Sequence, residues 1–149
     1  MNIEQLQKEL TEDEGCKYEI YLDHLGLPTF GIGHLVKQTD PEYNQPVGSL
    51  VSEDRVNACF SEDIQTTLND CEKLYNNFDD LPDEVQLIIA NMMFNLGYPR
   101  MSKFKKMKLA VDIKDWKEAS VQMKDSLWYT QVPNRAKRLI DRMNTIDST

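Results

Sequence analysis

Three residues near the amino terminus have side chains that can move a proton or hold a water. Asp23 follows Glu14 by nine residues, and Thr29 follows Asp23 by six. Two carboxylates with one water between them can cleave a glycosidic bond with inversion, because one acid protonates the leaving oxygen and the other group activates the water. The Thr29 hydroxyl could bind the same water. The simpler interpretation is that Glu14 ends a helix and Asp23 shapes a turn, where Asp is common.

Short regular elements are predicted to position these three side chains. Apolar residues at helical spacing over residues 3–10 predict an amphipathic helix, and Gly15 suits the left-handed position that ends one. Alternating residues over 18–22 predict a strand, and 27–30 predict a short return strand. The two carboxylates would therefore lie at a helix end and at a hairpin turn.

The rest of the chain is predicted to be mostly helical. Ser52 suits an N-cap, and the apolar repeat that follows predicts a helix of about 20 residues. Further helices are predicted over residues 82–96, 101–111, 115–127 and 133–143. The sequence therefore indicates a mostly α, α+β fold with a small β-hairpin sheet.

Composition excludes several classes of function. With 25 acidic and 17 basic side chains the net charge is −8, which argues against a nucleic-acid partner and against electrostatic capture by an anionic membrane or wall. No segment approaches the roughly 20 apolar residues of a membrane span, so no stable membrane association is expected. Cys16, Cys59 and Cys71 are an odd number at no metal-ligand spacing. They indicate free thiols in a cytosolic protein, and together with His24 and His34 they form no grouping that suggests a zinc site.

Several sequence fragments, taken in order, carry a family resemblance. They are Asp13-Glu14-Gly15, the steps to Asp23 and Thr29, Gly31-Ile32-Gly33-His34, Asn91-Met92-Met93-Phe94, Trp128-Tyr129 and Pro133-Asn134-Arg135-Ala136-Lys137-Arg138. Each fragment is weak alone, but together they cover nearly the whole chain. The chain resembles the T-even phage lysozymes, the endolysins of glycoside hydrolase family 24.

The resemblance implies one lysozyme domain over residues 1–149 with two lobes. The N-terminal lobe would span about 12–55 and the linking helix about 52–75. The C-terminal lobe would span about 76–149 and include the N-terminal helix 2–12. Residues 36–50 are fewer than in the typical family member, which implies that a small helix of the N-terminal lobe is lost or reduced.

The resemblance also implies an activity. The family cleaves the β-1,4 bond between N-acetylmuramic acid and N-acetylglucosamine in peptidoglycan, with inversion and without a cofactor. Glu14 would be the general acid, and Asp23 and Thr29 would position the water. The residues implied to bind substrate are Gly31, Gly33, Leu35, Phe94, Asn95 and Gln122.

Three further residues would support the site. Arg135 is expected to pair with Glu14 or with its neighbour Asp13. His34 is expected to be structural, with Asp63 on the long helix as its ion-pair partner.

Two alternatives stay open at this point. A lytic transglycosylase needs only the acid, whereas the presence of Asp23 and Thr29 favours hydrolysis. The other alternative is a lysozyme-like wall-binding or tail-structural module without activity. The family also implies a monomer that stays in the host cytoplasm until a separate, holin-type protein permeabilises the membrane, and then acts on the periplasmic wall.

Overall fold

The computed structural model of the protein describes residues 1–147, so the last two residues of the predicted C-terminal lobe lie outside it. This part of the chain is mostly helical with one small antiparallel sheet, which confirms the predicted α+β class. It divides into two units, which are treated separately below. The first unit is Ile3–Thr66, and the second combines Met1–Asn2 with the chain from Thr67 onward. The lobe boundaries predicted from the sequence stay a prediction.

The first unit begins with helix α1, Ile3–Glu14, which buries Leu6 and Leu10. Gly15 ends it with a φ of +73°, and its amide donates to the Thr11 carbonyl at 2.9 Å. A left-handed glycine after the last helical residue is the common way to close a helix. The predicted helix and its stop are confirmed, and Glu14 is the last helical residue.

A three-stranded antiparallel sheet follows, formed in the order β1 (Lys17–Leu22), β2 (Pro28–Gly31) and β3 (His34–Leu35). The hairpin between β1 and β2 was predicted, and the return strand begins and ends one residue later than expected. Strand β3 was not predicted, because it is only two residues long. Gly31 and Gly33, with φ of +64° and +65°, turn the chain back into it.

Residues 36–50 form turns and contain no helix, in agreement with the expected loss of a small helix. The end of this segment covers the free edge of β1. Ile20 donates its amide to the Ser49 carbonyl, and Val51 donates to Tyr18, both at 2.9 Å. These bonds satisfy an edge strand that would otherwise expose unpaired backbone groups.

Helix α2, Glu53–Leu74, starts at the predicted cap, where the Arg55 amide donates to Ser52 Oγ at 3.1 Å. Residues of α2 up to Thr66 belong to the first unit, and those from Thr67 onward belong to the second. The three cysteines are free, with Cys16 exposed and the two cysteines of this helix buried.

The second unit is helical throughout its regular elements. After a 3-10 helix at Phe78–Asp80 it contains α3 (Asp83–Leu96), α4 (Tyr98–Met101), α5 (Lys105–Asp112), α6 (Trp116–Lys124), α7 (Leu127–Gln131) and α8 (Pro133–Asn144). Helix α3 is buried on almost every side and packs against α4 and α8. It therefore forms the centre of this unit's core.

Two predicted helices of this unit have wrong boundaries. The helix predicted over 101–111 begins only at Lys105, because the chain turns after Met101, which accepts the Phe104 amide at 3.1 Å. The helix predicted over 115–127 ends at Lys124. Ser126 then caps the separate helix α7 by accepting the Tyr129 amide at 3.2 Å. In both places a local turn interrupts an apolar pattern that continues across it.

Candidate active site

Glu14 lies half-buried at the end of α1, directly against the backbone of Gly33. A methyl group added to Gly33 would stand 2.7 Å from Glu14 Oε1 and 2.8 Å from Cδ. Real Cβ atoms do not approach other heavy atoms so closely. Gly33 is therefore glycine for two reasons, its φ of +65° and the carboxyl group that occupies the space of a side chain.

Asp23 sits in the hairpin turn and holds that turn with one carboxylate oxygen. Its Oδ1 accepts the amides of Leu25 at 2.8 Å and Leu27 at 2.9 Å. Its own amide donates to the Leu27 carbonyl at 2.9 Å. Oδ2 makes no hydrogen bond to any residue in the described range 1–147. The carboxylate is therefore fixed in orientation, with one oxygen available to a water.

Thr29 is buried on β2 and shares an anchor with Asp23. Its hydroxyl donates to the Leu27 carbonyl at 3.0 Å, the same carbonyl that accepts the Asp23 amide. Because the hydroxyl proton is committed, the oxygen can only accept a further hydrogen bond. The Leu27 peptide group thus links Asp23 and Thr29, and both present acceptors that suit a water molecule.

Tyr21 is a candidate site residue that the sequence analysis missed. It lies directly opposite Thr29 in the sheet register, so the two side chains share one face, and Leu35 pairs with Thr29 from the other side. Lys17 Nζ lies 4.3 Å from the centre of the Tyr21 ring. Burial, followed by the charges of Glu14 and Asp23, raises the pKa of Tyr21, so its hydroxyl keeps its proton. The length of the hairpin turn sets the strand register, so the turn length is the feature of the sequence that could have identified Tyr21.

His34 is buried between two carboxylates. Its Nδ1 lies 2.7 Å from Asp63 Oδ2, and its Nε2 lies 2.8 Å from Asp40 Oδ2. Burial alone would lower the pKa of His34, but the hydrogen bonds and charges of the two carboxylates outweigh it and the pKa is raised. The Asp63 contact is the one expected from the resemblance, and the supporting role of the pair stays a prediction. Asp40 was not expected, because it lies in the irregular 36–50 segment.

The His34 pair continues into a larger charge network. Arg55 of α2 donates from Nε and Nη2 to the two oxygens of Glu42, each at 3.0 Å, and from Nη2 to Asp40 at 3.2 Å. The Arg55 hydrogen bonds lower the pKa of Glu42. Burial opposes ionisation of Asp40, but the Lys37 amide and His34 lower its pKa overall. The network fastens the 36–50 segment to β3 and α2.

The remaining predicted site residues belong to the second unit. Asn95 Oδ1 accepts the indole N–H of buried Trp128 at 2.8 Å. Gln122 donates to Glu118 at 2.8 Å and borders a groove of about 520 Å³ that Trp128 also lines. Phe94 is half-buried. Arg135 is buried and donates from Nε to Asn91 Oδ1 at 2.8 Å.

The first unit therefore places Glu14 against Gly33, and Asp23 and Thr29 on one hairpin with Tyr21, which is affected by the charges of both carboxylates. Leu35 pairs with Thr29. Gly31, also predicted to bind substrate, faces Val56, whose Cγ1 would lie 3.0 Å from an added methyl group. Phe94, Asn95, Gln122 and Arg135 lie in the second unit, and the pairing of Arg135 with Glu14 or Asp13 stays a prediction.

Residues 1–147 contain neither a group of metal-ligating side chains nor a membrane-spanning helix. Within residues 1–147, no three His, Cys, Asp or Glu side chains are grouped so that they could hold a metal ion. No helix in this same range is long and apolar enough to cross a membrane.

Comparison with known proteins identifies the family of the chain. Residues 11–144 match the family described as Phage lysozyme. The chain belongs to this family. It is 31% identical to the probable T4-type lysozyme 2 of Dictyostelium discoideum over 96% of this chain and 95% of that protein. The Phage lysozyme match includes every predicted site residue, from Glu14 to Arg135.

In two phage relatives, the part that is similar to this chain belongs to a much longer protein. The pre-baseplate central spike protein Gp5 of Enterobacteria phage T4 is 30% identical over 87% of this chain, but the match covers 26% of Gp5. The peptidoglycan hydrolase gp36 of Pseudomonas phage phiKMV is 28% identical over 92% of this chain and 15% of its own length. Family membership is therefore compatible with more than one protein context.

Proposed function

We propose that this chain is a muramidase that hydrolyses the β-1,4 bond between N-acetylmuramic acid and N-acetylglucosamine in peptidoglycan. The observation that carries the proposal is the hairpin, on which Asp23 Oδ2 and the Thr29 hydroxyl oxygen both stay available while the Leu27 peptide group fixes their positions. The relatives named as T4-type lysozymes and as a peptidoglycan hydrolase support the same activity.

Glu14 is the proposed general acid, which protonates the glycosidic oxygen as the bond breaks. The contact with Gly33 limits where its carboxyl group can lie. Asp23 would accept a hydrogen bond from the attacking water, remove its proton as the new bond forms, and stabilise the oxocarbenium-like charge. The Thr29 hydroxyl oxygen would accept a second hydrogen bond from that water. No cofactor is needed for these steps.

Leu35, Gly31, Gly33, Phe94, Asn95 and Gln122 are the proposed substrate-binding residues. Arg135 is proposed to act on Glu14 or Asp13 as a positioning cation. The protein is proposed to act as a monomer that reaches the periplasmic wall from the host cytoplasm after a holin-type protein opens the membrane. Any membrane association of the enzyme itself would be reversible.

Analysis of the reaction products tests the proposal. Digestion of purified peptidoglycan, followed by mass spectrometry of the fragments, should give N-acetylmuramic acid with a free reducing end, and proton NMR of the first product should show the inverted, α anomer. Fragments that end in 1,6-anhydro-N-acetylmuramic acid would show a lytic transglycosylase instead. A folded protein that releases no fragments would indicate a wall-binding or tail-structural module.

A further inference from the structure

The positive charge of this acidic chain is concentrated in one segment of the second unit. Residues 100–117 carry seven of the 17 basic side chains and only two of the 25 acidic ones, which gives the segment a charge of +5. With −8 overall, the rest of the chain carries −13. Because physiological salt screens exposed charges beyond about 8 Å, a ligand close to this segment meets a positive surface despite the net charge.

Three neighbouring lysines of this segment have side chains without a partner among residues 1–147. Lys103, Lys105 and Lys106 are exposed, and their side chains make no hydrogen bond, ion pair or ring contact with any of the residues described. Their basic neighbours are occupied, since Arg100 donates to Gln131 at 2.6 Å and Lys108 pairs with Asp112 at 2.7 Å. These three lysines line the same groove as Leu127. Their charges are available to an external anion.

Large aliphatic side chains are exposed beside the free lysines. Leu109 on α5 is 66% exposed, Ile113 is 75% exposed and Leu127 is 68% exposed. The Ile113 amide donates to the Leu109 carbonyl at 3.2 Å, which continues the helical pattern, so Lys105, Leu109 and Ile113 follow one face at intervals of one turn. Single exposed aliphatic residues are ordinary, but Leu127 lines the groove of the three lysines, and Leu109 and Ile113 follow Lys105 along one face.

We propose that this surface docks reversibly on an anionic lipid bilayer. The surface, called here the α5 patch, consists of Lys103, Lys105, Lys106, Leu109, Ile113 and Leu127. Lysines beside exposed aliphatic side chains on a helix are the pattern that binds at a membrane interface, where the ammonium groups meet lipid phosphates and the aliphatic groups enter the acyl boundary. A soluble polyanion would account for the lysines alone and would leave the aliphatic side chains in water.

Vesicle co-sedimentation tests the α5 patch without any wall chemistry, because the vesicles contain no peptidoglycan. The wild-type chain is mixed with phosphatidylcholine vesicles that contain or lack phosphatidylglycerol, at low and at physiological salt. One variant neutralises the patch (Lys103→Gln, Lys105→Gln, Lys106→Gln), and its control neutralises three lysines elsewhere (Lys8→Gln, Lys37→Gln, Lys137→Gln). A second variant removes the aliphatic groups (Leu109→Ser, Ile113→Ser), and its control is Val47→Ser with Leu50→Ser. Circular dichroism verifies that each variant folds.

We expect the wild type to sediment with anionic vesicles in a salt-dependent way and not with pure phosphatidylcholine. The affinity for anionic vesicles should fall about fivefold per neutralised lysine, and therefore about a hundredfold for the variant with all three substitutions. The affinity should fall about tenfold for each serine substitution, and both control variants should bind nearly as the wild type does. Equal binding of a patch variant and its control would overturn the proposal. So would a wild type that binds inorganic polyphosphate but not the anionic vesicles.

Discussion

Replacement of Gly33 by alanine should disable the enzyme far more than it destabilises the fold. The added Cβ would lie 2.7 Å from Glu14 Oε1, whereas ordinary contacts begin at 3.4 Å, so the carboxyl group must move by at least 0.7 Å. Glu14 has a flexible side chain and can move at little energetic cost. A displacement approaching 1 Å at a catalytic group costs on the order of a hundredfold in rate. We therefore expect about a hundredfold slower wall lysis by Gly33→Ala.

The expected loss of stability is small and comes from the backbone. Alanine at a φ of +65° costs about 1–2 kcal/mol relative to glycine. Gly48→Ala is a matched control, because Gly48 has a φ of +93° and nothing lies within 4 Å of an added methyl group. Turbidity assays and urea unfolding of both variants separate the two effects. Equal rates of lysis for the two variants would refute the argument that Gly33 sets the position of Glu14.

Three further predictions concern stability and the hairpin. The pKa of His34 is raised, so the stability that its charged form contributes is complete below about pH 6.5 and is lost as the pH rises through the raised pKa. The pKa of Asp40 is lowered, so the stability that its carboxylate contributes is lost on acidification below about pH 4. Urea unfolding should therefore show the largest cost of His34→Gln between about pH 4 and 6.5, and a cost that does not vary with pH would contradict this. Asp23→Ala removes the acceptor for two turn amides and should cost about 1–2 kcal/mol, whereas Asp23→Asn keeps Oδ1 and should unfold near wild type, although both variants should fail to lyse walls. Equal unfolding midpoints for Asp23→Ala and Asp23→Asn would show that the carboxylate does not hold the turn. Asn95→Ala leaves the buried Trp128 N–H unpaired and should cost about 1–3 kcal/mol in thermal unfolding, and an unchanged melting temperature would contradict the importance of that bond.

Much of the first unit could be predicted from local sequence. Gly15 stops a helix whose apolar spacing is regular, and Ser52 caps another, because each signal acts on its own backbone neighbours. The hairpin follows from alternation over β1 and from the turn at Asp23. The residues that carry the proposed chemistry lie next to these signals, which is why they stand out in the sequence.

The features that were missed depend on contacts between distant residues. Tyr21 faces Thr29 only once the hairpin register is known. Asp40 reaches His34 because turns fold the 36–50 segment onto β3, and no periodic pattern marks that path. In the second unit, turns after Met101 and at Ser126 interrupt sequences whose apolar spacing continues. The apolar pattern therefore predicted one helix that begins too early and another that ends too late.

Wall lysis by Glu14→Gln tests the central claim most directly. The substitution keeps the size of the side chain and the space against Gly33 but removes the proton that the reaction needs. We predict a folded protein with wild-type circular dichroism that does not lyse purified walls. Lysis by the folded Glu14→Gln variant at the wild-type rate would show that Glu14 is not the general acid.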